Sequence, residues 1–201
     1  MFRKRAWVII FAKFLLAFIL LSLPWPYFAK AYVNCFSSVW TAVFSDFVKY
    51  KELKFALRPT DTETTRFRNQ WSVSAYIRNV DSKKEKNINK LDLRRTAFIP
   101  AAVYLSLVLA IVHRIRRKKE IAASATGFLL LQSLSGIPII VLLQQMGLTD
   151  LHFNTQVVVL TIYRALVTSP GMSYAIPALL WLLFHWWSLK GLILKSNESE
   201  D

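Results

Sequence analysis

The residues of this chain whose types could do chemistry are one cysteine, three histidines and one arginine set inside an apolar run. Cys35 is the single thiol, so an internal disulfide is excluded and the redox compartment is unreadable. A thiol nucleophile needs a cationic neighbour to stabilise its thiolate, and the candidates are Arg164 and His152. Cys35 sits amid Val33, Phe36 and Val39, however, so a packed small hydrophobe is the expected environment. Arg164 is the one charge in residues 155–189. A charge inside an apolar helix is costly and often functional. Two readings stand side by side: an interfacial arginine snorkelling to a phosphate headgroup, or one with a specific polar partner. Arg164 and Cys35 are therefore the candidate functional residues. His113, His152 and His185 have no His, Cys, Asp or Glu three or four positions away, and no HExxH, CxxC or GxSxG occurs. No metal, cofactor or catalytic set is expected, and each histidine is expected at a membrane interface.

The elements that must position these residues are mostly apolar. Of 201 residues, 54% are hydrophobic and 14% aromatic, well above an ordinary globular composition. Residues 121–149 and 165–189 carry no charge at all. A soluble helix needs a polar face, so such runs read as lipid-facing spans. The net charge is +14, from 26 basic and 12 acidic residues. It lies beside the apolar runs and no nucleic-acid motif accompanies it, so anionic phospholipid is the expected partner and nucleic acid is not.

Along the chain this predicts an α-helical integral membrane protein with about four transmembrane helices. Residues 1–28 form the first span, with Lys13 near its basic end. Ala29, Lys30 and Ala31 also fit a signal-peptide cleavage pattern, but retention is the favoured reading. Residues 29–49 repeat apolar side chains at helical spacing: Ala29, Tyr32, Val33, Phe36, Val39, Trp40, Val43, Phe44 and Phe47. That is an amphipathic helix, on the membrane surface or packed on other spans. Residues 50–95 switch to the strand period, with Leu53, Phe55 and Leu57, then Trp71, Val73, Ala75 and Ile77, then more weakly Ile88, Leu91 and Leu93. A small sheet of about three strands is expected there. Residues 96–113 and 122–146 are the second and third spans, the third kinked near Gly136 and Pro138. Residues 155–168 form an interfacial or re-entrant helix, broken by Ser169-Pro170-Gly171, and 172–189 the fourth span.

Basic residues set the topology. Arg3, Lys4 and Arg5, then Arg114, Arg116, Arg117, Lys118 and Lys119, fall on one side of these spans, and the short loop 147–154 on the other has no Lys or Arg. Both termini are thus expected in the cytoplasm of an inner membrane, with residues 50–95 extracytoplasmic. The order of parts resembles small membrane proteins that accompany exosortases. The similar stretches are "FAKFLLAFILLSLPWPYFAKAYVNCFSSVW", the β-like insert, and "LRRTAFIPAAVYLSLVLA" entering the second span. The resemblance implies a non-enzymatic accessory to a membrane-embedded sorting enzyme, working through its extracytoplasmic insert. The alternatives are a thiol enzyme using Cys35 and Arg164, and a transporter or channel subunit. The last would need a polar path across the spans, which offer only Lys13, glutamines and scattered hydroxyls.

Overall fold

The computed structural model describes residues 2–23, 26–60, 71–82, 85–112, 118–168 and 171–195. They are mostly helical, with one small sheet. In chain order the elements are α1 (Phe2–Ser22), α2 (Pro26–Ser45), β1 (Leu53–Pro59), β2 (Ser72–Asn79) and β3 (Glu85–Asp92). A π-helical turn, Arg94–Phe98, leads into α3 (Ile99–Ala110). Then come α4 (Lys118–Leu134), α5 (Ile137–Gln145), α6 (Phe153–Thr168) and α7 (Met172–Lys195). The chain divides into two compact units. One holds Met1–Leu23, Ala97–Leu134 and Pro170–Asp201; the other holds Pro24–Thr96 and Ser135–Ser169.

The first unit is helical: α1, α4 and α7 all pack on α3. Tyr104, Ile111, Leu131 and Trp181 form its core, with Ile10, Leu107, Phe128 and Leu180 around them. Small and polar residues also point inward, including Ala101, Ala102, Ser106 and Ala110. Gly127 is required by contact, because a Cβ there would run into the Tyr104 hydroxyl and the Phe184 ring. The outward faces are apolar. Val8, Phe11, Leu16 and Ile19 on α1 are exposed, as are Leu179 and Leu183 on α7, the last by 70%.

In the second unit, β1, β2 and β3 form an antiparallel sheet in that order. Alternation puts Phe55, Leu57, Val73 and Ala75 on one face, and all four are buried. That face receives α2, whose Phe44 ring meets Phe55 at 6.4 Å, while Tyr32 meets Trp71 at 6.1 Å. Thr41 also closes the outer edge of β1, its Oγ1 accepting the Leu57 N–H at 2.9 Å. Two residues on, Pro59 has no N–H to offer along that edge. α5 packs on α6. Trp40 lies so close to Gly136 that an added Cβ would fall 2.5 Å from its ring.

Several expectations shift. The amphipathic helix starts at Pro26 and ends at Ser45, and Val39, Val43 and Phe47 are exposed. The buried stripe of this helix runs through Ala29, Val33, Phe36 and Phe44. The third strand begins at Glu85: past a bulge that leaves Ile88 without a register partner, three more residues, Asn87, Lys86 and Glu85, pair with β2. The segment expected as the second span opens as a π-helical turn whose entry is fixed by Asp92: its Oδ1 accepts the Arg94 N–H at 3.0 Å and its carbonyl accepts the Thr96 hydroxyl at 2.9 Å. The expected third span corresponds to the stretch 118–145, interrupted at Ser135–Gly136, at the expected kink; the unit boundary also falls there. The last helix runs past 189 to Lys195. Residues 118–145 form the one described helical stretch that alone is long and apolar enough to cross a membrane; α1 and α2 meet that test only together.

Candidate functional site

His185 is the histidine that the structure brings into contact with other elements. It is 1% exposed, on the packed side of α7 with Trp181 and Pro177, four and eight positions earlier. Its Nδ1 lies 3.0 Å from the Trp181 carbonyl, and its Nε2 lies 2.8 Å from Ser124 Oγ on α4. A carbonyl can only accept, so Nδ1 carries the proton, and in the neutral ring Nε2 accepts from the Ser124 hydroxyl. That hydroxyl is also 2.9 Å from the Glu120 carbonyl, so one proton has two acceptors. The Tyr104 hydroxyl donates to the Ser124 carbonyl at 3.1 Å, which brings α3 into the same cluster. The Trp181 indole stacks on the imidazole, centroids 5.7 Å apart.

A serine beside an imidazole invites a hydrolytic reading, and the geometry supplies a different role. The second imidazole nitrogen is held by a backbone carbonyl of its own helix, not by a carboxylate that would stabilise an imidazolium. Ser124 stands inside a regular helix rather than on a strained turn that projects its oxygen. The cluster joins α3, α4 and α7 by polar contacts.

The two residues singled out from sequence fall in the other unit and on different packed pairs: Cys35 on α2, which packs on β1, and Arg164 on α6, which packs on α5. Both are exposed. For Cys35 this is a correction. Val33 and Phe36 adjoin it in sequence, but residues one or two apart on a helix do not share a face. Its facial neighbours include Ala31, Ser38 and Ala42, all exposed. Beside them, α2 and β1 enclose an open groove of about 430 Å³ lined by Asn34, Ser37, Thr41, Ser45, Leu57 and Pro59 among others. Hydroxyl and amide groups at helical spacing thus face a strand edge. His152 is exposed in the loop after α5. Nearby, Lys49 is ion-paired with Asp150, and its N–H donates to the Leu148 carbonyl at 2.8 Å. The Asp150 carboxylate, by hydrogen bond and then by charge, raises the Lys49 ammonium above its ordinary pKa.

Of the topology-setting residues, Arg3, Lys4 and Arg5 lie in the first turns of α1, and Lys118 and Lys119 are exposed at the start of α4. Arg114, Arg116, Arg117 and His113 fall outside the described residues. Among the described residues no group of His, Cys, Asp or Glu is placed to hold a metal ion. Comparison with family models, curated proteins and solved structures finds no match.

Proposed function

We propose that this chain is a multi-pass inner-membrane protein and a non-enzymatic accessory, holding a partner with an extracytoplasmic layer built from α2 and the sheet. The observation that carries the membrane reading is the apolar outward surface of the helical unit, together with the small and polar residues inside it. Its interior holds Ser106, Ser124, His185, Gly127 and several alanines, while Leu, Ile, Val and Phe of α1 and α7 face outward. In water that arrangement would expose a large apolar surface. In lipid it is expected, because tails solvate leucine and helices associate through small residues and hydrogen bonds. On this reading α1, α3, α4 and α7 are the spans. The contact of Lys49 with Leu148 and Asp150 supports placing the loop after α5 on the same side as the segment after α2.

The groove on α2 and the sheet give this layer its binding surfaces. The class of partner the resemblance implies is a membrane-embedded sorting enzyme of the exosortase kind. The native thiol provides the test, since Cys35 is the one cysteine and is exposed. In spheroplasts a membrane-impermeant maleimide is expected to label Cys35, with the protein retained in carbonate-washed membranes. Labelling only after lysis would overturn the topology, and release by carbonate would overturn the membrane assignment. The exposure of Cys35 also favours a second reading, as a working thiol. Cys35→Ser separates the two: retained function supports the accessory role, and abolished function supports the thiol enzyme.

A further inference from the structure

The sheet face turned away from α2 carries Lys54, Arg58, Arg78 and Lys90 around Tyr76. Its half at Ser72 and Ser74 is buried, while Lys54, Arg78 and Lys90 are exposed. Lys54 and Arg78 are register partners on β1 and β2, a like-charge juxtaposition that destabilises a sheet. On the other side of Arg78 the register partner is Glu85. Glu85 does not neutralise it: both carboxylate oxygens go to Arg58, at 3.0 and 2.8 Å. Arg58 in turn lies over the Tyr76 ring, 5.3 Å from its centroid. Glu85, the register partner of Arg78, is thus drawn away from the Lys54–Arg78 pair. Lysines on an edge strand such as β3 are explained by protection against pairing with other chains. Arg78 is on the central strand, where that explanation does not apply.

We infer that this face, centred on Lys54 and Arg78, docks an acidic segment of a partner polypeptide. Charge complementarity identifies the occupant, and two features choose among anions. No strand residue is among the exposed large hydrophobics, so the face has nothing to insert into a bilayer. The Tyr76 ring is already covered by a guanidinium, so it offers no free platform for stacking a nucleic-acid base. The inference rests on the proposed partner-holding role and names the chemistry of what is held.

The test uses the full chain in phosphatidylcholine nanodiscs and a fluorescein-labelled peptide of alternating Glu and Ser, read by anisotropy. Binding is expected, with loss when Gln replaces Glu in the peptide and weakening with added salt. In the double variant Lys54→Gln/Arg78→Gln the affinity should fall roughly tenfold. The matched variant Lys118→Gln/Lys119→Gln should bind as the wild type does. Equal loss in both variants, no loss in either, or salt-insensitive binding by the wild type would overturn the inference. So would displacement of the peptide by phosphatidylglycerol vesicles or by a single-stranded oligonucleotide at lower concentration than unlabelled peptide. The salt series needs no variant, so misfolding cannot mask the result. Failure of binding with Cys35 still labelled from outside removes this inference alone; labelling only from inside removes the proposed topology.

Discussion

His185 Nε2 and Ser124 Oγ lie 2.8 Å apart and tie α7 to α4 inside the helical unit. Ser124→Ala removes the hydroxyl that Nε2 bonds and strands a buried acceptor. In a lipid setting such bonds average about 0.6 kcal/mol and reach about 1.7 kcal/mol, because the unfolded chain also finds partners. The full burial of the ring places this pair toward the upper end. Thermal unfolding in detergent should show Ser124→Ala and His185→Phe each destabilised, and the double variant less so than the sum. Strict additivity would show that the two side chains are not coupled.

Gly127 tests how closely α3, α4 and α7 approach. A methyl group at this position meets the Tyr104 hydroxyl and Phe184. Gly127→Ala should therefore destabilise by about 1–3 kcal/mol, as overpacking does, despite the gain in helix propensity. Tyr104→Phe in the same background removes the nearest atom and should recover part of the loss. An unchanged melting temperature in Gly127→Ala would mean that the helices sit farther apart.

The ion pair between Lys49 and Asp150 gives a pH signature. Because the carboxylate raises the ammonium pKa in the fold, its contribution is fully present below the unfolded value of about 10.4 and is lost as pH rises through the folded value. Lys49→Gln should lower the melting temperature slightly at neutral pH, and that difference should close above the folded pKa. Both side chains are well exposed, so salt should shrink the difference too. A gap that widens with alkaline pH would reverse the assigned sign.

The sheet was legible because its core face repeats at the strand period: Phe55 and Leu57, then Val73 and Ala75, bury against one helix. β3 was blurred because it is an exposed edge, with Ile88 at a bulge and lysines on both sides. Local patterning reports which face of an element is apolar, but not what that face meets. So the helical period of α2 is legible, while the exposure of Val39 and Val43 is not. The burial of His185 is illegible for the same reason. Its partner is 61 positions away, and apolar neighbours in sequence say nothing of a serine on another helix.

Trp40 and Gly136 carry the last prediction. The indole packs over the turn between α4 and α5, stacked on Phe44 at 5.2 Å, and the absent side chain at 136 makes the room. Gly136 has φ −79°, an ordinary helical value, so alanine is compatible with its backbone and only the contact opposes it. Gly136→Ala should then cost about 1–3 kcal/mol through displacement of a large aromatic ring. Trp40→Leu should relieve the clash, while losing ring contacts of its own with Phe36 and Phe44. Tryptophan fluorescence is a poor readout with seven indoles in the chain, so the measurement is proteolytic protection. Cleavage in the loop after α5 should accelerate in Gly136→Ala and slow again when Trp40→Leu is added. If Gly136→Ala is cleaved no faster than the wild type, the ring does not hold this turn, and the α4–α5 break is set by Pro138 alone.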